Sequence, residues 1–144
     1  MASFIYDSFS KKIVDGTGIN LGADTIKVAL LTSSYTPSRT THANYSDLSN
    51  EVANGSGYTT GGATLAGATL TEDTTNHWTT FSATNPSWAT SSFTARYAAI
   101  YKFTGVGSTS PLIALIDFGQ DLTTSNGTFA ITFNAAGILR VLLS

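Results

Sequence analysis

Cysteine is absent from this chain of 144 residues, so neither a disulfide nor a thiolate metal site is open to it, and stability has to come from packing or assembly. Charge is scarce as well. Only 11% of residues are charged, against about 25% in ordinary soluble proteins, and the net charge is -2. The seven Lys and Arg residues are scattered, which excludes the clustered cations that a nucleic-acid partner requires. No apolar run approaches the roughly 20 residues of a membrane span. The start of the chain, Met1 to Asp7, has neither the basic segment nor the apolar run of a secretion signal. The expectation is a protein made in a cytoplasm, with no membrane and no nucleic acid among its partners.

Chemistry-bearing patterns are missing too. His42 and His77 are the only histidines, and neither has a second ligand at a spacing such as H-E-x-x-H, so no metal is expected. There is no G-x-S-x-G. Ser8-Phe9-Ser10-Lys11 matches S-x-x-K without the companion motifs of that active site. Glu72 and Asp73 are adjacent, which suits a solvated strand end better than paired carboxylates across a cleft. Gly16, Gly18 and Gly22 miss the G-x-G-x-x-G spacing, and Asp15, Asp24, Asp47, Asp73 and Asp121 form no calcium loop. The reading is a chain that is not an enzyme and carries no cofactor.

Serine and threonine supply solubility instead, at more than a quarter of the residues, and threonine is also a strand former. With 42% hydrophobic residues the chain is long enough to bury a core as a single domain over residues 1–144. The densest signal is Thr94 to Gly119. Two strand-like runs, Ala95 to Phe103 and Leu112 to Phe118, flank a connector containing Gly105, Gly107 and Pro111, which predicts a hairpin. Arg96 interrupts one run and Asp117 the other. Symmetric pairing about the connector brings them close to opposite each other, as a structural cross-strand pair.

Elsewhere, Phe4, Ile5, Phe9, Ile13 and Val14 recur at helical spacing behind Ser3 as N-cap, which predicts a helix from Ser3 to Val14. Thr25 to Thr32 reads as a strand with Ile26, Val28 and Leu30 on one face. Strand character returns over Tyr58 to Leu70, where Gly61-Gly62 and Gly67 signal a bulge or a close backbone approach, and over His77 to Ala83. Pro86 and Trp88 read as a turn. Thr128 to Phe133 and Ile138 to Leu143, around Asn134-Ala135-Ala136-Gly137, predict a second hairpin. Together these give an all-β sandwich with a short N-terminal helix, jelly-roll-like as first choice and immunoglobulin-like as second.

Between Ser33 and Gly57 the chain is polar and irregular, with at most a helical turn within Tyr45 to Val52. So long a connection is usually functional or lies against a partner, which makes Tyr35, Pro37, Arg39, His42 and Tyr45 candidate partner contacts, together with the N-terminal helix. Trp78, Trp88, Tyr35, Tyr45 and Tyr58 are candidates for stacking on a sugar, against the plainer role of core packing.

Tyr58 to Leu65, Trp88, Thr94 to Tyr101, Pro111 to Ile113, Ile116 to Gly119, Phe129 to Ile131 and Gly137-Ile138 form a pattern, joined by the opening helix and Asp24 to Leu31. In this pattern the chain resembles small virion structural proteins of tailed bacteriophages, in particular capsid decoration or cement proteins. The resemblance spans nearly the whole chain and rests on strand and turn positions. It implies a non-enzymatic protein on the capsid surface of a virion, made in the bacterial host cytoplasm. Its partner would be the major capsid protein lattice, and it would act as a homo-oligomer, dimer or trimer. The alternatives are a tail, neck or head-fibre component, or a glycan-binding host-recognition module.

Overall fold

The computed structural model describes residues 2–16 and 18–142. Its largest element is the expected hairpin, β7 (Thr94–Lys102) with β8 (Leu112–Thr123), which forms the middle of a five-stranded antiparallel sheet. On one side of it lies β2 (Ile26–Leu31), followed by the short β3 (Ala63–Thr64); on the other side β1 (Phe4–Ile5) pairs with Ala114 and Leu115 of β8. A three-stranded sheet has β5 (Trp78–Ser82) between β4 (Thr69–Asp73) and β10 (Leu139–Leu142), and a two-stranded ribbon joins β6 (Ser87–Ser91) to β9 (Gly127–Ala130). The chain is an all-β sandwich with one short helix, α1 (Asp7–Val14), near its start.

The main core lies where the large sheet meets the two smaller ones. Ile26, Val28, Leu30, Ala98 and Ile100 come from the large sheet, Phe81 and Leu139 from the three-stranded sheet, and Trp88 and Phe129 from the ribbon. In β7 the two-residue period is broken by a register shift between Ala95 and Tyr97. That irregularity puts Ala95 and Ala98, three residues apart, into the same core, while Tyr97, Ala99 and Tyr101 face the other way.

Those outward residues are buried too. With Ala29, Leu31, Leu112 and Leu115 they form a second apolar cluster on the outer face of the large sheet, and Tyr6 and Tyr35 cover it, with Tyr45 and Leu48 packed against it. The segment from Ser33 to Gly57 is therefore a cover for that face. Backbone bonds fasten it along its length: Thr32 N–H to Asn50 O, Val52 N–H to Leu30 O, Leu112 N–H to Ala43 O and Tyr45 N–H to Ser110 O. The helical hint inside it is a single 3-10 turn, Tyr45–Asp47.

Several elements differ from the sequence reading. Helix α1 begins at Asp7, because Phe4 and Ile5 are drawn onto the edge of β8 and the Ser3 hydroxyl accepts the Asp117 N–H instead of capping the helix. Asp7 in its first turn and Lys11 and Lys12 in its last still suit the helix dipole. Tyr58 to Leu70 holds only β3 and the start of β4 as strand. Trp88 lies in β6, not in a turn. The second hairpin is not formed: β9 pairs with β6 and β10 with β5, so Asn134 to Gly137 is a turn that carries the chain from one sheet to another.

Candidate functional site

Three polar clusters and two surfaces are the places where this fold could act. The first cluster is Arg96 with Asp117. Arg96 Nε lies 2.8 Å from Asp117 Oδ1, and the Asp117 side chain is 1% exposed against 24% for Arg96. Asp117 stands opposite Tyr97, one step from Arg96, so the expected cross-strand pair forms with the offset that the register shift imposes. Burial works to raise the Asp117 pKa, but the bonds from Arg96 and from the Gly119 N–H outweigh it and hold the carboxyl below the usual carboxylate range. Arg96→Ala is expected to lower the melting temperature by a few degrees, with Arg96→Lys recovering part of the loss. Unchanged melting curves for Arg96→Ala would remove the pair from the list of supports. A depressed carboxylate pKa stabilises the fold above the unfolded value of about 4 and ceases to do so as pH falls below it, so the Arg96 effect is expected to shrink in acid.

The second cluster fastens the covering segment. Glu51 accepts the hydroxyls of Tyr45 and Tyr58 and the N–H of Gly61, the last two at 2.6 and 2.7 Å. Tyr58 in turn accepts the Leu30 N–H, and the Tyr101 hydroxyl donates to the Gly61 carbonyl. Tyr45 lies stacked on Tyr101 with ring centroids 4.7 Å apart. Burial first, then the nearby Glu51 carboxylate, pushes the Tyr45, Tyr58 and Tyr101 hydroxyls well above their ordinary value.

In the third cluster the Tyr6 and Tyr35 hydroxyls meet at 3.3 Å, and Tyr35 continues to His42 Nδ1 at 2.7 Å. Arg39 forms an exposed ion pair with Asp7 at 2.8 Å, tying the segment to the first turn of α1.

The five candidate partner contacts are thus placed as follows. Tyr35 is 2% exposed and holds the cover down, so it is not a surface contact in this fold. Tyr45, His42 and Pro37 are half-buried, and Arg39 is exposed. Of the five aromatics considered for sugar stacking, Trp88, Tyr58 and Tyr35 are buried and Tyr45 lies against Tyr101. Trp78, like Tyr45, is half-buried. It lies on the outer face of the three-stranded sheet, in a depression of about 400 Å³ with Thr71, Thr80, Asp73 and Arg140. The Arg140 guanidinium sits over its ring, 4.2 Å from the centroid.

The other surface is an apolar groove of about 450 Å³ along one open side of the sandwich, lined by Ile5, Ile116, Phe118, Leu122, Phe133 and Ile138 among others, with no charged residue. Among the described residues there is no group of three or more His, Asp or Glu side chains placed to hold a metal, and no helix long and apolar enough to cross a membrane.

Glu51 is the residue that sequence reasoning passed over. It is one of two glutamates in the chain and sits in no motif. The available signal was indirect: β7 is apolar on both faces, and a strand of that kind needs a cover on each side. Neither a family model, nor a curated protein, nor a solved structure matches the chain.

Proposed function

We propose that this chain is a non-enzymatic structural protein of a phage virion that binds the lattice of major capsid protein and stabilises the head as a decoration protein. The observation that carries the binding role is the use of its polar groups. Glu51, Tyr58, Tyr35, His42, Arg96 and Asp117 are bonded to one another or to backbone and hold the fold, while apolar side chains stand unpaired along sheet edges and an uncharged groove. Such a body suits recognition by shape and apolar contact, repeated over a symmetric lattice where many weak contacts act together. The phage head as the setting rests on the resemblance of the strand and turn pattern.

A cryo-electron microscopy reconstruction of particles carrying the chain tests this. Density at regular positions on the capsid lattice is expected, together with loss of heat resistance in particles lacking the protein. Density confined to the tail or neck would replace the head by that location.

The half-buried Trp78 supports a second reading, a glycan-binding surface in which a sugar would take the place of the Arg140 guanidinium over the ring. An aromatic ring beside threonines, a carboxylate and a guanidinium is the chemistry that stacks on and hydrogen-bonds a sugar. Quenching or a blue shift of Trp fluorescence on a glycan array, lost in Trp78→Ala, would favour it over the head.

A further inference from the structure

The three-stranded sheet ends in two strands, β4 and β10, that pair only with β5, and their edges carry opposite charge. On β10, Arg140 is followed by Val141 and Leu142, which are 46% and 55% exposed. On β4, Leu70 is 49% exposed and Glu72 and Asp73 follow it. Neither strand contains the Lys or Pro that commonly blunts an edge.

Both strands run antiparallel to β5 and hence parallel to each other. Across the sheet, Thr71, Thr80 and Arg140 share one row, and Asp73, Trp78 and Leu142 share the row two residues on. Residues two apart face the same side, so Arg140 and Asp73 lie on one face of the sheet, and Leu70 and Val141 on the other. The Arg140 guanidinium already leans over Trp78, toward the row that contains Asp73.

We propose that β10 of one copy pairs with β4 of a second copy, so that the small sheet continues from subunit to subunit. Charge selects this pairing over its alternatives. Two β10 strands meeting antiparallel would set Arg140 against its own twin, and two β4 strands would gather Glu72 and Asp73 from both copies. Parallel pairing of β10 with β4 in the register that continues the rows sets Arg140 beside the second copy's Thr71 and diagonal to its Asp73 on one face, and Val141 beside its Glu72 and diagonal to its Leu70 on the other. The contact is head to tail, so it closes into a ring or runs on as a filament. It stands on the sheet edges alone and is independent of the virion reading.

Light scattering on the full chain at sub-millimolar concentration tests it through Leu70→Lys and Val141→Lys, each with its melting temperature checked. Wild type is expected to be oligomeric and each variant alone monomeric. The mixture of the two is expected to give a 1:1 dimer, because each variant keeps the edge that the other lacks. Arg140→Gln, which touches neither apolar residue, is expected to weaken wild-type association about tenfold at low salt and much less at high salt. A monomeric wild type, a Leu70→Lys variant that still self-associates, or a mixture that stays monomeric would each overturn the proposal.

Discussion

Glu51→Ala is expected to lose about 3 kcal/mol of stability, because the substitution removes one carboxylate that accepts three hydrogen bonds and leaves buried donors behind it. For a chain of this length that corresponds to a fall of about 10 °C in melting temperature. The loss is large because the cluster is the fastening of the cover. Tyr58 is 2% exposed, and its hydroxyl also receives the Leu30 N–H, so its position is fixed from both sides. Without Glu51 the Tyr58 hydroxyl has to find another acceptor in an apolar surrounding or pull the segment off the sheet. Glu51→Gln keeps one acceptor oxygen and is expected to lose about half as much. Hydrogen exchange should locate the effect in the segment from Ser33 to Gly57, with β7 and β8 still protected. A uniform loss of protection across the large sheet would argue that the cover is not a separate layer.

The buried tyrosines of this cluster, together with Tyr6 of the neighbouring one, set the response to alkali. Burial first raises the pKa of Tyr6, Tyr45, Tyr58 and Tyr101 in the folded chain. A hydroxyl whose pKa is raised by folding stabilises the native state fully below the unfolded value of about 10, and that stabilisation is lost as pH climbs above it. The unfolded chain releases its phenolic protons first, so the equilibrium moves toward it. Denaturation is expected to coincide with the appearance of tyrosinate absorbance above pH about 10, most steeply for these four. Tyrosines titrating smoothly near their ordinary value in a chain that stays folded would contradict the burial on which this rests.

The legible parts of this fold are those where pairing is local. Ala95 to Phe103 and Leu112 to Phe118 are close in sequence, and Arg96 and Asp117 stand out because each breaks an apolar run, so hairpin and ion pair could both be read. The runs around Phe129 and Leu139 look equally like a hairpin, but their partners are remote. Phe129 packs against Trp88 and Phe93, and Leu139 stands opposite Phe81. Nothing within the runs encodes that choice, since it depends on which apolar faces the rest of the chain has already brought together. Trp88, two residues after Pro86, likewise reads as a turn until β9 supplies its other strand. In the long segment Tyr35 and Tyr45 sit among polar residues with no period, and their places are decided by the apolar outer face of β2 and β7 beneath them. The length of the segment predicts a functional loop or one lying against a partner. In the structure it covers the chain's own sheet.

Gly62→Ala is expected to be the most damaging single-methyl change, with a loss above about 3 kcal/mol and mostly insoluble protein. Gly62 has φ +76° and lies against the central strand β2, where an added Cβ would come 1.8 Å from the Val28 carbonyl oxygen and 2.8 Å from the Ala29 Cα. These are backbone atoms of a strand bonded on both sides, to β7 and to β3, so they have no room to retreat. Relief requires β3 to leave β2, which breaks the pairing of Val28 with Ala63 and of Lys27 with Thr64. It would also displace Gly61, whose N–H donates to Glu51 and whose carbonyl accepts from Tyr101, so the cover would loosen together with the strand. The control is Gly16→Ala. Gly16 has a similar φ of +69° but nothing within 4 Å of the added Cβ, so it reports the cost of the backbone conformation alone, about 1 kcal/mol. The difference between the two measures the close approach itself. Equal losses at the two positions, read from urea denaturation of both variants, would show that Gly62 is needed only for its dihedral angle and not for the contact of β3 with β2.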